Sequence, residues 1–191
     1  DPIFKVIQIE NDTVTNFEEY GIYFNSSEDS EISYNRLTSS NNGNGKYGIR
    51  NHSSNQNALV TNNYINIWGS CDWCGYMGSF GIEAHDSYIA NDSILVSTGS
   101  GDEDEYSAYG VYGERSEIID NYINIYDDDE DQGLISAGRG IVSSGTIDNR
   151  ATIQGNEIVV KNYSYGIVTN NSDIIDNSII GENHYSWSIY L

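Results

Sequence analysis

The sequence predicts an all-β protein: a single-stranded, right-handed parallel β-helix (a solenoid) of about seven rungs that forms one domain over residues 1–191. Three observations predict it. A phrase of an aromatic residue, Gly and Ile or Val returns along the chain. A second phrase, built around Asn or Asp, follows each copy. Short β-rich runs of alternating polarity, broken by Asn, Gly, Asp and Ser, make up each unit.

The aromatic phrase has five full copies and one variant, Arg139-Gly140-Ile141, that lacks the aromatic residue. The full copies begin at Tyr20, Tyr47, Phe80, Tyr109 and Tyr165. We expect the first four of these aromatic side chains to stack on one another. The Gly that follows is expected to serve a sharp bend or a close approach of two backbones.

The second phrase places Asn or Asp two residues before an apolar residue and three residues after another. These residues are Asn35, Asn63, Asp92, Asn121, Asn156 and Asn177. Asn11…Val14 resembles an earlier copy, and Trp187-Ser188-Ile189 resembles the start of a seventh aromatic phrase. Stacked rungs lie about 4.8 Å apart, so we expect a polar ladder at a corner, where Asn tolerates left-handed backbone and bonds along the stack.

The composition excludes several classes of partner. Lys and Arg total 8 against 29 Asp and Glu, for a formal charge of −21, so we expect no nucleic-acid binding. No run of 18 apolar residues occurs, so no membrane insertion is expected. The chain begins at Asp1, and we interpret it as a processed or excised segment of an extracellular or cell-surface protein.

The Y-G-I…I-x-x-N-x-I units resemble the repeats of the pectate-lyase-like, right-handed parallel β-helix superfamily. They are closest in character to the Asn-, Ile- and Asp-rich copies in archaeal and bacterial surface or adhesin-like proteins. The resemblance covers nearly the whole chain and implies the fold. It does not choose a function, because this scaffold carries lyases, hydrolases, adhesins and inert surface proteins alike.

Insertions fall mostly between the Asn phrase and the next aromatic phrase, so we expect them at one edge of the solenoid. Two of them, on neighbouring rungs, carry nine carboxylates: Asp102, Glu103, Asp104, Glu105, Asp127, Asp128, Asp129, Glu130 and Asp131. Ca²⁺ would relieve their repulsion, and these residues are the candidate ligands. The alternative is a solvated acidic face with loosely held counter-ions.

The insertion from Trp68 to Ser79 contains the two cysteines, Cys71 and Cys74, in C-D-W-C. A disulfide that closes this loop is the favoured interpretation. Haem attachment would need His where Gly75 stands, zinc would need further Cys or His nearby, and pairing with another subunit is a further alternative. The aromatic residues Trp68, Trp73 and Tyr76 are a candidate contact surface for proteins or glycans.

The search for catalytic residues finds little. His85-Asp86 is the one adjacent His–carboxylate pair, and no nucleophile signature accompanies it. The resemblance implies that a lyase of this fold would use Arg or Lys as a base, and Arg115, which we expect near the acidic loops, is the best candidate. The N-T-D, G-H-G and R-I-K signatures of related hydrolases are not complete here. We therefore expect no enzyme activity.

Six N-x-S/T sequons make candidate glycosylation sites at Asn11, Asn25, Asn51, Asn91, Asn162 and Asn170. No capping helix is evident at either end, so strand edges with apolar residues are expected there; these are Ile3, Phe4 and Val6 at one end and Trp187, Ile189 and Leu191 at the other. A head-to-tail contact between such edges makes a fibre. Flanking domains that supply the caps are the alternative.

The sequence thus favours a non-catalytic extracellular structural or adhesive protein that self-assembles into filaments or a surface layer, with Ca²⁺ on an acidic edge. Other copies of the chain, glycans or a cell surface are the expected partners. A polysaccharide lyase or hydrolase, or a carbohydrate-binding β-helix module, is the alternative.

Overall fold

The computed structural model describes residues 7–25, 29–40, 45–51, 57–69, 78–98, 108–127, 138–162, 164–182 and 187–191. These residues form 21 short strands and no helix. The strands make three seven-stranded sheets, and every neighbouring pair of strands is parallel. Three consecutive strands, one in each sheet, form one rung. The predicted all-β fold class, a parallel β-helix of about seven rungs, is confirmed.

The first strand of each rung lies in sheet 1, the second in sheet 2 and the third in sheet 3. Sheet 1 contains β1 (Gln8–Glu10), β4 (Ser30–Ser33), β7 (Ala58–Thr61), β10 (Tyr88–Ala90), β13 (Glu117–Ile119), β16 (Ala151–Gln154) and β19 (Ser172–Ile175). Sheet 2 contains β2 (Thr13–Thr15), β5 (Arg36–Ser39), β8 (Tyr64–Gly69), β11 (Ser93–Thr98), β14 (Tyr122–Asp127), β17 (Glu157–Lys161) and β20 (Ser178–Glu182). Sheet 3 contains β3 (Tyr20–Phe24), β6 (Tyr47–Asn51), β9 (Ser79–Glu83), β12 (Ala108–Tyr112), β15 (Arg139–Ser144), β18 (Tyr165–Asn170) and β21 (Trp187–Tyr190).

The core is a column of β-branched and other aliphatic side chains inside the three sheets. In the middle rungs each sheet contributes at least one fully buried residue per rung, such as Ile118, Ile123 and Val111 in the fourth and fifth rungs, and sheet 2 contributes two, such as Ile123 and Ile125. Burying such a side chain contributes about 1.5–3 kcal/mol. Each rung is covered only by the rungs next to it. A single rung could therefore not bury these side chains, and the stack of rungs does.

The glycines of the aromatic phrase serve a close approach of two backbones, which decides between the two roles predicted for them. A Cβ built on Gly48 would lie 2.5 Å from Cγ2 of Ile65 and 2.6 Å from the carbonyl oxygen of Gly81. None of the described glycines of the aromatic phrase has a positive φ, so a sharp bend is not the reason for glycine there. Among the described glycines, a positive φ occurs at Gly155. The interior is therefore tight at this column.

The predicted polar ladder is present and buried. The backbone N–H and Nδ2 of Asn35 both donate to Oδ1 of Asn63 at 3.0 Å. Asn63 donates in the same way to Oδ1 of Asp92, at 2.7 and 2.9 Å. The ladder continues through Asn121 and Asn156 to Asn177. It satisfies buried backbone and amide groups at one corner of every rung.

Two details of the ladder differ from the prediction. The left-handed backbone belongs to the residue before each ladder residue, as at Tyr34 (φ 57°), Asn62 (58°) and Asn91 (57°). The first-rung member is Asp12 and not Asn11, because the N–H of Asp12 donates to Oδ1 of Asn35 at 2.9 Å. Asn11, with φ 59°, takes the left-handed position instead. One residue turns the corner and the next bonds along the stack.

Candidate functional site

Four insertions leave the coil at one corner, because the strands that flank them pass from sheet 2 to sheet 3 in each of rungs two to five. Asp127 ends β14, and the other candidate Ca²⁺ ligands lie outside the described residues: Asp102, Glu103, Asp104, Glu105, Asp128, Asp129, Glu130 and Asp131. Cys71, Cys74, Trp73 and Tyr76 also lie outside them. The calcium site and the disulfide therefore stay predictions.

Within the described ranges, no group of three or more His, Cys, Asp or Glu side chains is arranged to hold a metal ion. The same part of the chain contains no helix that is long and apolar enough to cross a bilayer.

A buried lysine that the sequence patterns did not single out stands at the end of the first insertion and bonds to the backbone where the second insertion begins. Lys46 is fully buried, and its Nζ donates to the backbone carbonyl of Trp68 at 2.9 Å. Loss of hydration lowers the pKa of Lys46. Lys46 precedes Tyr47, at a position where the next two rungs carry Ser79 and Ala108, so a long side chain among small ones was the available signal.

Arg115 does not share a corner with the strand ends that flank the acidic insertions, and its distance from the acidic residues outside the described ranges stays untested. Arg115 stands between β12 and β13, at the corner from sheet 3 to sheet 1, whereas the insertions leave between sheets 2 and 3. Its Nε and Nη2 donate to the two carboxylate oxygens of Asp86, at 2.7 and 2.5 Å. This bond raises the pKa of the Arg115 guanidinium further, so the side chain holds its proton and is a poor candidate for a base.

His85 is also held in a structural arrangement. Its Nδ1 accepts the backbone N–H of Glu114 at 3.1 Å, and its ring meets the ring of Tyr112 edge to face at 5.2 Å. His85 and Asp86 thus each bond to the next rung, and these bonds join two rungs at this corner.

A cleft of about 340 Å³ opens beside the Arg115–Asp86 pair on the outer side of sheet 1. Tyr88 lies in its wall, 39% exposed, and its ring contacts no other ring among the described residues. The remaining lining residues are Asn57, Ala58, Leu59, Ser87, Glu117 and Asn149. Its lining thus combines an aromatic ring that stacks on no other described ring with amides, a carboxylate and a guanidinium, which together offer one apolar face and several hydrogen-bonding groups.

The predicted aromatic stack is confirmed on the outer face of sheet 3. Ring centroids are 5.3 Å apart for Tyr20–Tyr47, 4.9 Å for Tyr47–Phe80 and 4.4 Å for Phe80–Tyr109. Arg139 continues the column, with its guanidinium 5.1 Å from the Tyr109 ring. Because the stacked rings cover one another's faces, the column presents ring edges and hydroxyls outward. This argues against sugar stacking there and for a role in joining rungs.

The sequons differ in accessibility. Asn11, Asn25, Asn91 and Asn170 are exposed, and Asn162 is half-buried. Asn51 is only 2% exposed, so the folded chain does not present this side chain for glycosylation.

The last rung exposes part of the interior column, and in the first rung Ile9 and Val14 are partly buried while Ile22 is buried. Ile189 in β21 is 45% exposed, whereas its counterpart Ile167 in the preceding rung is fully buried. Ile174 and Ile179 in the same last rung are partly buried, and Leu191 is 84% exposed. Trp187 begins β21, which confirms the seventh aromatic phrase. Of the predicted edge residues at the other end, Ile3, Phe4 and Val6 lie outside the described residues.

In the described part of the chain, the strands of the last rung pair only with the sixth rung, and those of the first rung only with the second. Within those ranges, each terminal rung therefore has three strand edges that pair with no described strand.

Comparisons with protein-family models, with curated proteins and with solved structures each found no match. The repeats and the three parallel sheets define the chain as a parallel β-helix solenoid.

Proposed function

We propose that this protein is a non-catalytic, extracellular structural or adhesive protein whose β-helices stack head to tail into filaments or a surface layer. One observation carries the proposal: each terminal rung contributes one strand to each of the three sheets, as the rungs between them do, and the inner column is only partly buried at Ile9 and Val14 in the first rung and at Ile174 and Ile179 in the last. A copy docked on either end would meet a cross-section like that of its own next rung.

Such docking would bury Ile174, Ile179 and Ile189 of one copy against Ile9, Val14 and Ile22 of the next, because these residues occupy the same columns. It would also pair the free strand edges. The contact joins two different surfaces and does not close on itself, so it extends into a fibre.

The charge of −21 opposes association, because each copy repels the next. The screening length at physiological salt is about 8 Å, which limits this repulsion to the charges near the junction. In this proposal, Ca²⁺ bound at the acidic insertion corner lowers the net negative charge of each copy and so supports assembly. A solvated acidic face without specific calcium is the alternative.

Electron microscopy and sedimentation of the purified chain, in millimolar calcium chloride and in EDTA, test the proposal. Filaments in calcium are the expected result, and their loss in EDTA would place the cation at the junction or the acidic edge. Filaments in both buffers would remove calcium from the account. A monomer in both buffers, at every protein concentration, would overturn the proposed function.

A second candidate function is carbohydrate binding, as a module or as an enzyme of the pectate-lyase-like scaffold, and the unstacked ring of Tyr88 in the cleft favours it. We expect Tyr88→Ala to abolish any glycan binding measured on an array, because the ring supplies the apolar face. Tyr122→Ala is the matched control, since Tyr122 is 37% exposed on sheet 2, outside the cleft. Equal losses in both variants, or none in either, would exclude the cleft. New reducing or unsaturated ends formed by the wild type would show an enzyme.

A further inference from the structure

The polar ladder has a direction. In each described link, the backbone N–H of one rung donates to the side-chain oxygen of the rung that follows it in sequence. At the first described rung, the ladder therefore ends in a side-chain oxygen that can accept a further bond. At the last described rung, it ends in a backbone N–H that can donate one. Asp12 is the acceptor end, and its carboxylate is exposed. Asn177 is the donor end.

Asn177 is already arranged as an interior member of the ladder. Its Nδ2 donates to the carbonyl oxygens of Ile153 at 2.8 Å and Ile175 at 3.1 Å. Asn156, one rung earlier, makes the same two bonds to Ile118 and Gln154, and it also donates to Oδ1 of Asn177 at 2.8 Å. The described residues offer Asn177 no matching acceptor in a following rung.

The chain contains an internal copy of the junction that these two ends would form. Asn63 donates to Asp92, and Asp92 donates its N–H to Asn121 at 2.9 Å. Asp12 donates its N–H to Asn35 at the same distance. Both Asp residues follow an Asn in left-handed conformation, Asn11 or Asn91. Asp12 thus lies like Asp92, but no described residue of an earlier rung donates to its side chain.

We propose that Asn177 of one copy donates its backbone N–H and side-chain amide to Asp12 of a second copy, so that the ladder runs unbroken through the junction and sets its register. The inference rests on the proposed head-to-tail assembly and identifies the residues that join the two ends.

The rest of the two end rungs fits this register. Following the columns of paired residues, Gln8 comes opposite Asp173, Glu10 opposite Ile175 and Thr13 opposite Ser178. In these strands the register sets no carboxylate against another, although the chain is strongly acidic. Tyr20 comes opposite Trp187, which extends the column of the aromatic phrase.

Four variants and one control variant test the junction by sedimentation, which gives the protein concentration at which assembly begins. Asn177→Asp keeps an acceptor for Asn156, as Asp92 does for Asn63, but it sets two carboxylates against each other at the junction. We expect it to raise the threshold on the order of tenfold or more. Asp12→Asn keeps the acceptor without the charge, and it should assemble at or below the wild-type threshold.

The double variant with Asn177→Asp and Asp12→Asn removes the repulsion and should recover assembly. Asn170→Asp is the control, because it adds the same charge at an exposed position outside the ladder and should change the threshold little. Asp12→Lys, at an exposed side chain where misfolding is not expected, should abolish assembly independently.

If the wild type assembles while Asn177→Asp and Asp12→Lys match it, or while the double variant fails to recover, the junction is wrong and the proposed function stands. If the wild type does not assemble, the proposed function falls and the junction with it.

Discussion

At the scale of single residues, Asp92 is the least expected member of the ladder. It is 1% exposed, and no described residue bonds to its Oδ2. In an Asn of the ladder, the atom at the position of Oδ2 is the Nδ2 amide, which donates a hydrogen bond. Asn121 Nδ2, for example, donates to the carbonyl oxygen of Ile89. Burial raises the pKa of Asp92 well above the ordinary value of 3.8, against the opposing effect of the bonds from Asn63. A protonated carboxyl restores the missing donor, so we infer that the folded chain favours neutral Asp92.

Asp92→Asn should therefore stabilise the protein at alkaline pH. The pKa of Asp92 is higher in the folded chain than in the unfolded chain, so the folded chain binds more protons. Its contribution to stability is fully present below pH 3.8 and is lost as pH rises through the folded pKa. Replacing the carboxylate with an amide that makes its bonds should raise the free energy of unfolding at pH 8 by about 1–3 kcal/mol.

Urea unfolding of both proteins at pH 5 and pH 8 measures this effect, and the gain should be smaller at pH 5. Asp120→Asn is the control, because Asp120 is exposed at a left-handed corner that also suits Asn. A loss of stability in Asp92→Asn at pH 8 would contradict the neutral carboxyl.

The sequence predicted the ladder residues well, because their spacing to the apolar columns is fixed. It did not separate the two roles at the corner. Pairs such as Asn62-Asn63 and Asn91-Asp92 carry a turning residue and a bonding residue side by side, and both roles suit Asn or Asp. Tyr34 also has a left-handed backbone conformation. Its residue type does not indicate this, because Tyr is not among the residues that favour such turns.

At the scale of strands and columns, the glycines of the aromatic phrase allow sheet 3 to pack closely against the side chains of sheet 2, because they carry no Cβ. Gly48→Ala should destabilise the fold by about 1–3 kcal/mol, the usual cost of overpacking. The new Cβ would meet Ile65 and the backbone of Gly81 at distances no real Cβ adopts. Thermal unfolding measures the cost.

Gly113→Ala is the matched control for that variant. A Cβ on Gly113 would lie 3.0 Å from the carbonyl oxygen of Ala84 and 3.2 Å from Oγ of Ser116, so small shifts relieve the contact. Equal destabilisation by the two substitutions would show that the aromatic-phrase glycines have no special role.

Arg115 shows what the sequence could not supply at this scale. Its proximity along the chain to acidic residues suggested a shared site, but two residues close in sequence can lie at different corners of one rung. The decisive information was which sheet each neighbouring strand joins, and short strands of similar composition do not reveal it. Its contact with Asp86, one rung away, is a consequence of stacking.

At the scale of the whole molecule, the fold followed from the repeat because each rung needs its neighbours to bury the aliphatic column. That same requirement makes the last rung unusual, because part of its burial is missing among the described residues, whereas Ile22 in the first rung is only 6% exposed. Ile189 at 45% exposure and Ile167 at 0% occupy the same column and differ only in whether a described rung follows. In the proposed function, docking of a second copy on the last rung would bury the side chain of Ile189 as the following rung buries that of Ile167.

The axial rise of the filament tests this account most directly, and cryo-electron microscopy of the assembled chain would measure it. Strands within a sheet are spaced by about 4.8 Å, so seven rungs joined without a break give a rise of about 34 Å per subunit. We predict that value, with continuous density for strands across the junction. Subunits that contact through the outer faces of the sheets, or a rise that is not close to seven strand spacings, would contradict the account.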